Sequence, residues 1–353
     1  MGAFFIPTGF SYRYFVYFSS YFGRTRKMQG LKYAFGNSLT YLLLFLFSLS
    51  LHAQQTPGLS LYHLNPLFFN PAAAGAGRDA YVQAHYRNQW TAYETSQDGN
   101  GNLGTTVVGL SIPLNFQGLG MGLVIMNDQT PSGVGQQAVR LQVAYHKSLA
   151  SGAIVSMGAG FGMQNKSFDG RVFRVRDPND PLAIELSGKQ VSQSLPDFNA
   201  GLLYTTDLWE LGLGVGHLNQ PNYDFGTSSV KLTNELAANL HTKVLVGLSD
   251  RFELSPFAQI KYYQGRLLPQ VGTKLIYQQQ FWLGGGYRWD DASSLMLGMS
   301  LLNSRLDVAY AMDLSVINSA VKSNLSHEIM FKFILPSFQT SSRYVPVKTP
   351  RFK

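Results

Sequence analysis

A chain of 353 residues that is 45% hydrophobic, 14% charged and holds 35 glycines carries little charge for a water-soluble protein of its size. Its mean hydropathy near zero argues against a bundle of membrane-spanning helices, each of which needs a run of about 20 apolar residues. The absence of cysteine excludes disulfides, thiolate metal sites and cysteine nucleophiles together.

The longest apolar run, residues 39–51, is too short to span comfortably. It follows Lys32 and ends at His52-Ala53 before Gln54-Gln55. Those are the basic flank, apolar core and small last residue of a secretory signal, with cleavage expected after Ala53 and no cysteine to make it a lipoprotein signal. Met28 is the more natural start, and residues 1–27 read as an over-extended start or a long basic flank. Residues 1–53 are therefore set apart from the fold as a signal region. That region holds five basic residues and no acidic one, so the net charge falls from +8 to +3 without it, and a nucleic-acid partner loses its main support.

Residues 54–80 form a lead-in built around Asn65-Pro66-Leu67-Phe68-Phe69-Asn70-Pro71. Each proline fixes its own φ and biases the asparagine before it away from the helical region. The expectation is an irregular segment, not a helix, that enters a first strand near Tyr81.

From Tyr81 on, apolar residues fall on alternate positions, which is the strand period. Val155, Met157, Ala159, Phe161 and Met163 oppose Ser156, Gly158, Gly160, Gly162 and Gln164. Trp209, Leu211, Leu213 and Val215 oppose Glu210, Gly212, Gly214 and Gly216. About fourteen such segments follow, at 81–90, 102–114, 118–127, 134–149, 153–168, 194–205, 208–217, 234–248, 252–264, 267–278, 281–289, 293–302, 305–314 and 324–335. Short links at 115–117, 150–152, 206–207, 249–251, 279–280 and 303–304 alternate with longer ones at 91–101, 128–133, 169–193, 218–233, 290–292 and 315–323. The tight Gly265-Arg266 is the exception.

Outer-membrane barrels have short periplasmic turns and longer outer loops, and an even strand count places both termini in the periplasm. The expected fold is all-β: a transmembrane antiparallel barrel of about 14 strands over 81–335, with an irregular amino-terminal segment and a polar, basic tail at 336–353. A spanning sheet has to close, because open edges would leave N–H and C=O groups bare in hydrocarbon. Tyr204, Trp209, Tyr262, Tyr263, Tyr277, Trp282, Tyr287, Trp289 and Tyr310 are expected near the two membrane interfaces. Arg87, Glu210, Arg288, Arg305, Asp307 and Lys332 are expected inside or near strand ends. There they would form a ladder of salt bridges or line a polar channel. Inward glycines leave room for that channel or for the Asn-Pro segment folded in as a plug.

Chemistry is scarce. His327-Glu328 begins like a zinc-protease motif, but Phe331 stands where the second histidine belongs. Gly118-x-Gly120-x-Gly122 and Gly212-x-Gly214-x-Gly216 lack the phosphate-loop lysine and read as thinned inner strand faces. Asp177-Pro178-Asn179-Asp180-Pro181 is a solvated turn before it is a calcium site. Neither an enzyme nor a cofactor nor a metal is expected.

Asn65-Pro66-Leu67-Phe68-Phe69-Asn70-Pro71-Ala72-x-Ala74-Gly75 followed by Tyr86-Arg87-Asn88-Gln89-Trp90 resembles the amino-terminal signature of the PorP/SprF family, outer-membrane proteins of type IX secretion and gliding. Stretches 197–204 through 217–221, 281–288 and 326–329 are similar to it as well. The resemblance implies a non-catalytic barrel that delivers or anchors secreted surface proteins and adhesins by their C-terminal sorting domains. Its implied partners are that cargo, periplasmic and outer-membrane secretion components, and outer-membrane lipid. A diffusion porin and a purely structural barrel are the alternatives. The signature residues Asn65, Pro66, Asn70, Pro71, Gly75, Arg87, Asn88, Gln89 and Trp90 are candidate binding residues, or they seat the lead-in segment against the barrel.

Overall fold

The computed structural model describes residues 58–77, 79–91, 103–114, 118–129, 133–171, 185, 188–225, 231–316 and 325–336. The signal region, most of the basic tail and the Asp177–Asp180 turn lie outside them. Among the described residues no helix is long and apolar enough to cross a membrane.

The described residues form seventeen strands: β1 (Tyr81–Gln89), β2 (Leu103–Pro113), β3 (Leu119–Gln129), β4 (Val134–Ser148), β5 (Ile154–Asp169), β6 (Gln190–Thr205), β7 (Trp209–Gly216), β8 (Asn222–Asp224), β9 (Lys231–Thr233), β10 (Ala237–Val244), β11 (Val246–Gly247), β12 (Phe252–Tyr263), β13 (Arg266–Tyr277), β14 (Phe281–Arg288), β15 (Ala292–Leu301), β16 (Leu306–Ser315) and β17 (Leu325–Ile334). Sequence neighbours pair antiparallel around the sheet. β10 bonds both β7 and β12, and β1 bonds both β2 and β17, so the sheet closes on itself. β10 and β11 occupy one position, interrupted at Leu245, which gives a closed barrel of fourteen strands.

Closure gives every barrel strand two neighbours, and the side-chain alternation then sorts the two faces. On β5, Met157, Phe161 and Met163 are exposed on the outside, while Ser156 and Gln164 are buried inside. On β7, Leu211 and Leu213 face out, and Gly212 and Gly214 face in. An apolar outer face of this extent suits lipid. Leu297, midway along β15 and exposed, gives a test. Leu297→Arg is expected to cost about 2–4 kcal/mol in lipid-vesicle unfolding, against about 0–1 for Leu301→Arg at the strand end.

The start of β1 and the end of β17 share one rim with the short turns, here the turn rim. The longer links lie at the other, the loop rim. The tight link stands on the loop rim as a two-residue turn, Gln264 and Gly265 both having positive φ (48° and 73°), the geometry that matches strand twist.

Three expectations need correction. β6 starts at Gln190 rather than at 194, and the 218–233 link contains the β8–β9 hairpin, whose three-residue strands are too short to show a period. Its Tyr223 is buried and packs with Phe225, Phe168 and Leu232. Tyr263 and Trp282 point into the lumen, because they share the inner parity of Lys261 and Gly284. Trp209, Tyr262, Tyr277 and Trp289 do face outward near the strand ends. Arg305 lies at a strand end as expected, in the turn immediately before β16.

Candidate functional site

The lumen is filled by the chain's own residues 58–77. The segment begins at the loop-rim half of the barrel, descends through it and leaves at the turn rim into β1. It is not irregular throughout: Tyr62–Leu64 and Pro71–Ala73 are single 3-10 turns and Pro66–Phe69 is one α-helical turn. The reason lies in the Asn-Pro pairs. Asn65 and Asn70 are kept out of the helical region (φ −128° and −144°), while the prolines occupy the first helical position, where a missing N–H costs nothing. The Asn70 side chain caps its turn by accepting from Ala72 N at 2.9 Å and donates to Leu202 O on β6 at 2.8 Å.

The barrel wall holds this plug along its length. Gln270 donates to Leu59 O (3.0 Å), Gln142 to Leu67 O (3.2 Å) and Arg140 to Phe68 O (3.2 Å). Near the turn rim Gly75 N donates to Ser111 Oγ at 2.8 Å. Leu59, Leu61, Leu67 and Phe68 are buried in the central apolar cluster with Val107, Val124 and Phe257. The inner-face glycines serve this close approach: a Cβ on Gly158 would fall on the backbone of Pro71 and Ala72, and one on Gly214 on the Phe69 carbonyl. Gly75 itself needs a positive φ (67°) and lies against Gly120.

At the loop-rim half a buried ionic cluster forms a latch. Arg87 of β1 pairs with Asp313 of β16 (2.7 Å) and with Glu328 of β17, and Arg288 of β14 pairs with the same Asp313 (3.0 Å). The plug closes the network. Glu328 accepts from Ser60 N (2.7 Å) and Leu61 N (3.0 Å), Ser60 Oγ donates to Asp313 (2.7 Å), and His85 Nε2 lies 3.1 Å from Glu328. Four strands and the plug thus share two carboxylates and two guanidiniums, and breaking a buried pair of this kind is costly.

Below the latch His63 stacks on Phe257 at 3.8 Å between ring centroids. Neither of its ring nitrogens has a hydrogen-bond partner among the described residues.

Of the signature residues, Asn65, Pro66, Asn70, Pro71 and Gly75 belong to the plug, and Arg87 to its latch. Asn88, Gln89 and Trp90 do not join them; they end β1 at the loop rim, where Trp90 N donates to Ser326 Oγ at 3.0 Å. Glu328, Asp313 and His85 complete the latch although sequence reasoning had not placed them there. The inner parity that Asp313 shares with Asp307 was the available signal.

A closed antiparallel barrel, apolar outside, polar inside and stoppered by its own amino-terminal segment, is a plugged outer-membrane barrel. The chain belongs to the family of type IX secretion system membrane proteins PorP/SprF, whose sequence profile matches residues 51–333. No curated protein matches the sequence. Among solved structures it is similar to the toluene transporter TbuX of Ralstonia pickettii (12% identity, 76% of this chain and 92% of that one, TM-score 0.49). It is also similar to the CymD monoaromatic hydrocarbon channel (12%, 82% and 96%, 0.46) and to Omp33 of Acinetobacter baumannii (8%, 74% and 100%, 0.42).

Proposed function

We propose that this protein is a closed, non-catalytic component of type IX secretion that binds exported surface proteins, adhesins among them, by their C-terminal sorting domains and holds or delivers them at the cell surface. The observation that carries the reading is the filled lumen. A barrel stoppered by twenty of its own residues, with a buried ionic latch and apolar contacts on them, is poorly suited to passive diffusion, so its work falls to its rims. The short turns, the start of β1 and the end of β17 would then be periplasmic and meet the secretion ring, and the longer links would face outward. Binding commonly resides on loops carried by a rigid scaffold, and the links between β5 and β6 (170–189) and between β7 and β10 (217–236) are the largest on that side.

Deleting residues 172–187 is expected to leave a heat-modifiable barrel in the outer membrane and to release a surface protein into the medium. An unchanged released fraction would refute the loop's part in retention. A mild-detergent pull-down followed by mass spectrometry checks the partner directly. One large exported protein held by its carboxy-terminal domain supports the reading, and ring components alone would limit the protein to machinery.

A further inference from the structure

β6 stands taller than the strand beside it. It pairs with β5 along its whole length, Gln190 to Thr205, but with β7 only from Ala200 to Thr205. β7 ends at Gly216, opposite the first residue of β10, Ala237. The upper part of β6 therefore borders a gap in the sheet at the loop rim, between the two largest links.

The ladder fixes which backbone groups face that gap. Thr206 N donates to Trp209 O (2.8 Å) where β6 turns into β7, and Phe198 O accepts from Leu218 N (3.0 Å). Even-numbered residues of β6 thus turn N–H and C=O toward β7, and odd-numbered ones toward β5. The link after β7 carries the ladder one step higher, with Asn219 Oδ1 accepting from Phe198 N (3.3 Å) and Nδ2 donating to Pro196 O (2.7 Å). It then leaves at buried Pro221 for the β8–β9 hairpin, whose Tyr223 and Phe225 pack on the inner face with Val191 and Leu195. Among the described residues no hydrogen bond reaches the backbone of Gln190, Ser192 or Ser194 on the gap side.

This edge stands in water. The outward side chains of β5 and β6 change from Phe161, Met163 and Phe198, all exposed and apolar, to Asn165 and Ser167 opposite Ser194 and Ser192. The lipid boundary lies below Ser194. An exposed edge with open N–H and C=O groups is a template for a further strand.

We propose that the upper edge of β6 docks an extended segment of the exported surface protein, added antiparallel to residues 190–194 and in line with β7 below it. This rests on the cargo reading and names the element that makes the contact. Each facing residue offers one N–H and one C=O, and strand addition takes its affinity from such main-chain bonds. A second copy in the same membrane points the same way, so its β6 could only lie parallel, the weaker pairing. The sequence reading missed the edge because it began this strand at 194.

The test is made in cells on the full-length protein, with mass spectrometry of the medium. Ser192→Pro together with Ser194→Pro removes only N–H groups that face the gap, as Pro196 already does. The barrel is expected to stay heat-modifiable and at its normal level, while at least about tenfold more of one exported surface protein is shed. Ser192→Thr with Ser194→Thr changes both side chains, keeps both N–H groups and is expected to retain that protein. Ser194→Cys, unique in a chain without cysteine, is labelled on intact cells with benzophenone maleimide and is expected to crosslink to one short segment of the same protein. Unchanged shedding in the proline pair, or equal shedding in the threonine pair, would overturn edge pairing. Crosslinks to a second copy, to residues 172–187 or spread over many proteins would overturn the occupant. If deleting residues 172–187 sheds the protein and the proline pair does not, the edge fails and the cargo reading stands; shedding by neither removes both.

Discussion

Removing residues 58–79, so that the exported chain enters β1 directly, is expected to turn a closed barrel into a conducting one. Planar-bilayer recordings should show step conductance where the intact protein shows none. The fourteen strands close through their own ladder, β1 against β17 included, and none of those bonds passes through the deleted segment. What the deletion exposes is an inner face of glycine, glutamine and ionic side chains that water can wet. In the intact protein, burial of Leu59, Leu61, Leu67 and Phe68 contributes about 1.5–3 kcal/mol for each side chain, so spontaneous opening is rare. A deletion variant that runs as a folded barrel yet stays silent would mean that the segment is not what seals the lumen.

The second large effect is expected from Glu328→Ala. Its carboxylate takes the Ser60 and Leu61 amides, pairs with Arg87 and lies beside His85. Truncation leaves buried Arg87 with one carboxylate in place of two, that of Asp313, which Arg288, itself also paired with Asp291, already shares, at a cost of about 3–5 kcal/mol. That corresponds to a loss of roughly two to four orders of magnitude in the ratio of seated to released plug. Because the chain has no cysteine, Leu59→Cys supplies a unique reporter at a fully buried plug position. Its reaction with a water-soluble thiol reagent should accelerate by about that factor in the Glu328→Ala background. Glu328→Gln, which keeps an acceptor for the plug amides, should accelerate it less. Equal rates in all three backgrounds would show that the latch does not hold the plug.

The barrel was legible because its two faces are written at period two and its links alternate in length. Neither feature depends on distant contacts. The plug was legible only as a possibility. Gly158 and Gly214 announced a thin inner wall, yet nothing local says that Pro71 and Phe69 are what lie against it. The helical turns were missed because proline was read as a breaker rather than as a first helical residue. Glu328 looked like a broken metal motif because its partners Ser60 and Arg87 are more than 240 positions away. Tyr263 and Trp282 could have been assigned inward from parity alone, since adjacent Tyr262 and Tyr263 cannot both meet lipid.

The plug's path has a consequence for how the molecule is made. Residue 58 lies at one end of the lumen and β1 begins at the other, so the segment runs the length of a tube whose final seam joins the first strand to the last. Once that seam has shut, the segment could enter only by threading end-on past a narrow, charged bore. Folding is simpler if the segment is already in place and the sheet wraps around it, as a tube is rolled on a mandrel. Glu328 then has a second use. Lying on β17 and binding Ser60 and Leu61, it lets the last strand register against the mandrel before it meets β1, and so shortens the search for a partner some 240 residues distant, the kind of contact that otherwise makes folding slow.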